Sequence, residues 1–220
     1  NSTYTSAGNA ITFAGDVVAN SALVIDTTDS GNAAGATVTF AGMLDSQATE
    51  ANVLTITAGT GDINFDGKVG DTDALGLVTI HSADTVDTDN TFEAAGLDFT
   101  ATTEIQLDGL VTSTATVDLT AALIDVNAGI TAAGQLVDLN AGATGLTVDG
   151  GDITTSSTTA AAGVIDIDST GNVSINSDLV AVGADATSGA GSAGGAVTID
   201  VTGAANTLSL TSNITTSGGD

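Results

Sequence analysis

A recurring heptapeptide limits what this chain of 220 residues can fold into. Its order is apolar, any, apolar, any, small, any, apolar, as in residues 11–17 (ITFAGDV). Further copies begin at residues 38, 63, 105, 124, 146, 173 and 208, and a degenerate copy begins at residue 86. Alternation with a period of two places the apolar side chains on one face of a strand, and the small residue marks a bend. Each copy therefore predicts a strand followed by a corner.

A second apolar alternation precedes almost every heptapeptide. In the middle of the chain these strands carry Leu97, Val117 and Val137, which are 20 residues apart. A fixed period of this kind is typical of a solenoid. The last apolar residue of each heptapeptide predicts a short third strand, so that three strands form one turn.

The repeats predict an all-β fold, a parallel β-helix in which about nine turns of roughly 20–35 residues stack on one another. Residues 1–220 are expected to form one continuous segment of a longer chain or fibre. We assign all insertions to one corner, between a heptapeptide and the next strand, because a loop there projects outward without disturbing neighbouring turns. The insertions are residues 26–36, 45–51, 70–76, 154–163 and 180–195.

Composition agrees with a narrow aliphatic interior. The chain has no Pro, 28 Gly and only 3% aromatic residues, and its apolar positions are mostly Val, Ile, Leu and Ala. Phe13, Phe40 and Phe65 share one heptapeptide position, which predicts a short aromatic stack. At corners such as Asp66-Gly67 and Asp108-Gly109, we expect glycine to adopt positive φ.

The formal net charge of -26 arises from 27 acidic residues and one basic residue, Lys68. This charge excludes nucleic acid and anionic membranes as electrostatic partners and favours divalent cations. The absence of Cys excludes disulfides and zinc-thiolate sites. No apolar run approaches the roughly 18 residues that a membrane span needs.

Several segments resemble the repeats of filamentous-haemagglutinin-like surface proteins of bacteria. They include residues 61–70 followed by 74–80, and residues 23–27 followed by 34–40. The resemblance covers nearly the whole chain. It implies a right-handed parallel β-helix, an extracellular or cell-surface location, and a role in adhesion, biofilm or fibre formation.

Residues 62–73 match the spacing of an EF-hand-like calcium loop. Asp62, Asn64, Asp66 and Asp73 stand at loop positions 1, 3, 5 and 12, with Gly67 at position 6. The same segment is also an ordinary heptapeptide repeat, which would place Asp62, Asn64 and Asp66 in a row outside a strand. A calcium site at these four residues and a plain repeat are therefore alternative interpretations.

Stacking predicts an outward column of Asp98, Asp118, Asp138 and Asp166, in which each neighbouring pair repels by roughly 1 kcal/mol in water. Either bound calcium or other divalent cations relieve this repulsion, or water and salt screen it.

Few residues suit catalysis. His81, the only His, follows an inward residue and should face solvent. Paired carboxylates such as Asp166 and Asp168 could supply acid/base chemistry, but the chain has no Arg to bind acidic sugars. We therefore expect a structural or adhesive protein that requires no cofactor, is not an enzyme, self-associates end to end or within a longer chain, and contacts surface glycans. A carbohydrate-active β-helix enzyme, a polysaccharide lyase or hydrolase, is the alternative.

Overall fold

The computed structural model describes residues 1–186 and 189–220, and it is a parallel β-solenoid whose strands stack on three faces. Face A contains β1 (Ser2–Thr5), β4 (Leu23–Asp26), β7 (Leu54–Thr57), β9 (Leu75–Ser82), the second half of β11 (Phe92–Thr100), the first halves of β14 (Val117–Val126) and β16 (Val137–Val148), β18 (Ile165–Ser169) and β21 (Val197–Val201).

Face B carries the heptapeptide strands. It contains β2 (Ile11–Phe13), β5 (Val38–Phe40), β8 (Ile63–Phe65), β10 (Thr85–Thr88), β12 (Glu104–Leu107), the second halves of β14 and β16, β19 (Val173–Ile175) and β22 (Leu208–Leu210).

Face C is the shortest. It contains β3 (Val17–Ala19), β6 (Leu44–Ser46), the start of β11, β13 (Val111–Ser113), β15 (Ile130–Thr131), β17 (Ile153–Thr154), β20 (Leu179–Val180) and β23 (Ile214–Thr215). Val69 completes this stack because it bridges Leu44 on one side and Phe92 on the other.

The register confirms the predicted parallel solenoid. On face B the first heptapeptide residues pair in one unbroken series from Ile11 through Ile105 and Ile124 to Leu208. The series joins nine strands through eight steps, so the nine coils make about eight full turns. Every pairing between named strands is parallel, which is the arrangement that a repeated coil of one direction requires.

Inward side chains of the three faces form a continuous apolar core. In the sixth coil Leu119, Ile124 and Ile130 are each 0% exposed. The predicted aromatic stack is present: the rings of Phe13 and Phe40 lie 4.8 Å apart, and those of Phe40 and Phe65 lie 5.3 Å apart, nearly parallel in both pairs. Stacked side chains of one kind fill the interior because each coil repeats the same cross-section.

The prediction that every insertion lies at one corner was wrong. The loops after β6, after Val69, after β17 and after β20 do lie between face C and face A, although residues 187–188 of the last loop fall outside the described residues. However, residues 27–37 join β4 to β5, between face A and face B. There Asp26 Oδ1 accepts a hydrogen bond from the Thr28 amide at 2.7 Å, and a 3-10 turn follows at Asp29–Gly31. Local capping by Asp26 therefore begins a loop where the repeat has a plain bend.

Close approach, not positive φ, explains the corner glycines. Neither Gly67 nor Gly109 has positive φ, so that expectation was wrong. A Cβ atom at Gly67 would lie 2.2 Å from the carbonyl oxygen of Gly42, and one at Gly109 would lie 1.9 Å from that of Asn90. Consecutive coils thus touch backbone to backbone at Gly67 and Gly109, where a side chain would collide with the preceding coil.

Among residues 1–186 and 189–220, no helix has the length and apolar character that crossing a bilayer requires.

We predict that Leu119→Asp prevents folding of the central coils. Leu119 pairs with Phe99 on one side and Leu139 on the other, so a carboxylate there would be buried without a partner. The loss in free energy of unfolding should exceed about 4 kcal/mol. Circular dichroism and limited proteolysis would detect it.

The matched control is Asp118→Asn on the outward side of the same strand, which should fold like the parent chain. If the two variants behave alike, the assignment of inward and outward positions is wrong.

Candidate functional site

The predicted carboxylate column on face A is present. Asp98 pairs with Asp118, Asp118 with Asp138, and Asp138 with Asp166. All four occupy an outward position between two buried neighbours, because residues alternate sides along a strand. The column ends at Thr79 on one side and at Thr198 on the other.

Burial and neighbouring negative charge disfavour the ionised form of the two carboxylates in the middle of this column, Asp118 and Asp138. Burial, and then the charge of Asp98, raise the pKa of Asp118. Burial, followed by the charge of Asp118, raises the pKa of Asp138. Asn140 partly offsets both shifts, and its Nδ2 donates to Asp138 Oδ1 at 2.9 Å. The one Lys does not help, since Lys68 Nζ bonds Asp71 Oδ1 at 2.7 Å.

The four residues of the predicted calcium loop do not form one cluster. Ile63–Phe65 is a strand with Ile63 and Phe65 buried, so Asn64 points outward on face B. Asp62 Oδ1 accepts a hydrogen bond from Thr85 Oγ1 at 2.9 Å. Asp73 lies in the loop that leads into β9.

Asp62, Asp66 and Asp73 are not among the described carboxylates whose oxygens lie close enough to share one ion. Calcium binding at Asp62, Asn64, Asp66 and Asp73 stays a prediction.

A different group of carboxylates does come together. Asp87, Asp89 and Asp108 each place an oxygen within 4.8 Å of the other two. Sequence analysis missed this group because residues 86–92 are the degenerate copy of the heptapeptide. The signal was nonetheless present: Asp87 and Asp89 stand at the second and fourth positions of their copy, and Asp108 stands at the fourth position of the next.

A shallow groove crosses five coils along the end of face A, with a volume of about 520 Å³. Its floor is made of small residues such as Ala121, Ala141 and Gly142. Polar side chains line it, including Asn140 and the register pair Asp168 and Asp200. The groove therefore offers carboxylate, amide and hydroxyl groups at regular spacing along the solenoid axis.

The sites differ in what they can do chemically. Hard cations prefer carboxylate oxygens, so the face A column and the group of Asp87, Asp89 and Asp108 suit cation binding. The groove suits a ligand rich in hydroxyl groups, which can both donate to Asp168 and accept from Asn140. His81 is exposed on face A, as predicted.

Comparison of the chain with family models, curated proteins and solved structures gave no match.

We predict that mild acid stabilises this protein. Because the pKa of both Asp118 and Asp138 is raised in the folded state, the folded chain holds protons that the unfolded chain releases. The stability that this proton uptake contributes is fully present below the ordinary aspartate pKa. It is lost as the pH rises through the raised pKa values of Asp118 and Asp138 in the folded chain. Urea unfolding between pH 7 and about pH 4 should show a rising midpoint as pH falls.

The double variant Asp118→Asn/Asp138→Asn should have a flatter pH profile and a higher midpoint at pH 7. A parent midpoint that falls steadily with acidification, or an unchanged slope in the variant, would contradict the prediction.

Proposed function

We propose that this protein is a structural and adhesive extracellular β-solenoid, a stiff segment of a cell-surface filament, fibre or biofilm matrix. One observation carries the proposal: strand pairing on face B continues without interruption through all nine coils, around a buried core that extends from the second coil to the eighth. Hydrogen bonds between coils run along the axis, so bending the rod would require breaking pairings on at least one face. A rod of this kind suits spanning distance and bearing load.

Self-association end to end, or continuation within a longer chain, belongs to this proposal. In the ninth coil, Leu208 and Leu210 are 45% and 40% exposed, whereas the equivalent Val173 and Ile175 of the eighth coil are buried. The eighth coil owes its burial to the coil stacked on it. A further coil with the same pattern would cover Leu208 and Leu210 in the same way, whether it comes from this chain or a second copy.

The adhesive part of the proposal places surface glycans in the groove along face A. Glycans present hydroxyl groups at regular intervals, and the groove presents polar side chains coil by coil along the axis. A carbohydrate-active enzyme is the second candidate function. Asp168 and Asp200 favour it, since they stand in adjacent coils on the same groove and could act as an acid/base pair.

We expect the purified chain to assemble along its axis. Light scattering across concentrations and electron microscopy should show elongated particles larger than a 21.1 kDa monomer. Leu208→Lys/Leu210→Lys should reduce assembly, because an incoming coil would bury two unpaired charges against its apolar side chains. The control Leu77→Lys alters an equally exposed side chain on the flank of the rod and should leave assembly unchanged. A parent chain that stays monomeric at every concentration would count against self-association.

A second experiment separates the two candidate functions. The chain would be incubated with a panel of soluble polysaccharides while binding and release of reducing ends or unsaturated products are both followed. We expect binding that Asp168→Asn/Asp200→Asn weakens, without product. The control Asp98→Asn removes an exposed carboxylate outside the groove and should bind normally. Product formation that disappears in the groove variant would establish the enzyme and overturn the structural assignment.

A further inference from the structure

The second and fourth positions of the heptapeptides form a two-column ribbon on the outside of face B. Strand register stacks Asn64, Asp87, Gln106 and Asp125 in one column. A second column lies beside the first, at the corner after face B. In it the backbone amide of each residue donates a hydrogen bond to a carbonyl oxygen of the preceding coil, which stacks Asp66, Asp89, Asp108 and Asn127. We call these eight residues the face B ribbon. Its side chains are five carboxylates and three amides. The carboxylate and amide oxygens can bind a cation, and the amide nitrogens can hold the carboxylates in place.

Three carboxylates converge in the centre of the face B ribbon. Asp87 lies in β10, and Asp89 follows directly after the end of that strand. Asp108 comes from the next coil, and its amide donates to the carbonyl oxygen of Thr88 at 3.0 Å, which fixes it beside Asp89. One oxygen from each of the three side chains lies within 4.8 Å of the other two. This spacing brings the three carboxylates close enough to serve as ligands of one calcium ion, which takes oxygen ligands at about 2.4 Å in flexible geometry.

A second observation, independent of this spacing, also indicates a missing ligand. Asp87 Oδ1 is closed to solvent and accepts no hydrogen bond from any described residue. Two coils further on, Asp125 Oδ1 is in the same state. A buried carboxylate oxygen without a donor loses its hydration and gains nothing in return. Such oxygens are rare in folded proteins, and a bound ion is one of the few ways to satisfy them.

Charge around Asp87 is uncompensated. Asp89 and Asp108 place their carboxylates beside that of Asp87. The side chain of the only basic residue is already bonded to Asp71. A cation from solution is therefore the available source of positive charge.

Neighbouring amides hold Asp108 in position. Gln106 Nε2 donates to Asp108 Oδ2 at 2.9 Å, and Asn127 Nδ2 donates to Asp108 Oδ1 at 2.8 Å. Each oxygen keeps a second lone pair with which to bind an ion. These contacts orient the carboxylate toward the cluster, which is the usual role of groups that support a metal ligand.

We propose that Asp87, Asp89 and Asp108 bind one calcium ion between the fourth and fifth coils. Only oxygen donors are present, so soft or imidazole-preferring metals have no suitable ligands. Calcium accepts irregular arrangements of oxygen ligands, such as three side chains from two coils, whereas magnesium demands near-ideal octahedral geometry and usually keeps several waters. Water completes the calcium shell on the solvent side, where Asp89 and Asp108 are exposed. The ion joins two consecutive coils, and this assignment is independent of the proposed adhesive function.

Calorimetric titration of the purified chain with calcium chloride at constant ionic strength tests the site. We expect one saturable site, a higher Tm in calcium than in magnesium, and loss of both effects with EDTA. Asp89→Asn/Asp108→Asn should weaken calcium binding by at least about tenfold, because ligand charge sets calcium affinity. Both side chains are exposed, so the variant should fold, which its circular dichroism spectrum would verify.

The matched control is Asp16→Asn/Glu50→Gln, which removes two exposed carboxylates that lie outside the face B ribbon, the face A column and the groove. It should keep the parent affinity and the parent rise in Tm with calcium. The proposal is overturned if the parent chain shows no saturable calcium binding. It is equally overturned if both double variants lose the same amount of binding, because calcium would then only screen the total charge.

Discussion

Hydrogen bonds between consecutive coils are the interaction on which the rest of this structure depends. Among the described residues, no strand pairs with another strand of its own coil, since the strands of one coil lie on different faces. On face B each strand from β5 to β19 pairs with the coil before and the coil after, and the terminal strands β2 and β22 each pair with one coil. The same stacking covers the apolar side chains, so backbone pairing and core burial arise together and neither exists for an isolated coil.

Strict register has an electrostatic consequence. The alignment that places Leu119 between Phe99 and Leu139 also places like charges directly above one another on the outer surface. The chain moderates this by alternating acids with amides. At the corner after face B, Asn127 donates to Asp108 and separates it from Asp149, and Asn176 donates to Asp149 and separates it from Thr211. Where carboxylates of consecutive coils meet without an amide, as at Asp66, Asp89 and Asp108, a cation has the strongest reason to bind.

The repeat pattern was sufficient to predict the fold, because periodicity decides which side chains face inward and the inward side chains decide the stacking. The three faces, the aromatic stack and the face A column of Asp98 to Asp166 all follow from residue spacing. The loop between β4 and β5 did not follow, because it depends on a local hydrogen bond from Thr28 to Asp26. Handedness is likewise not a property of spacing.

The functional surface was harder to predict than the core. The calcium motif at residues 62–73 was sought within one continuous loop, whereas in this fold neighbouring groups come from different coils. Asp108 approaches Asp87 only because two heptapeptides pair in register, with Thr85 opposite Glu104. Contacts of this type become visible in the sequence only after the copies are aligned position by position, and the degenerate copy at residue 86 obscured that alignment.

The aromatic rings divide the solenoid into two optically different halves. The one Tyr and five Phe, at positions 4, 13, 40, 65, 92 and 99, belong to the first five coils, and each ring contacts the next within 5.8 Å. The last four coils contain none. Ultraviolet absorption and near-ultraviolet dichroism from side chains therefore report on one half of the rod, whereas amide signals report on all of it. A difference between the two signals during unfolding would reveal which half opens first, without any label.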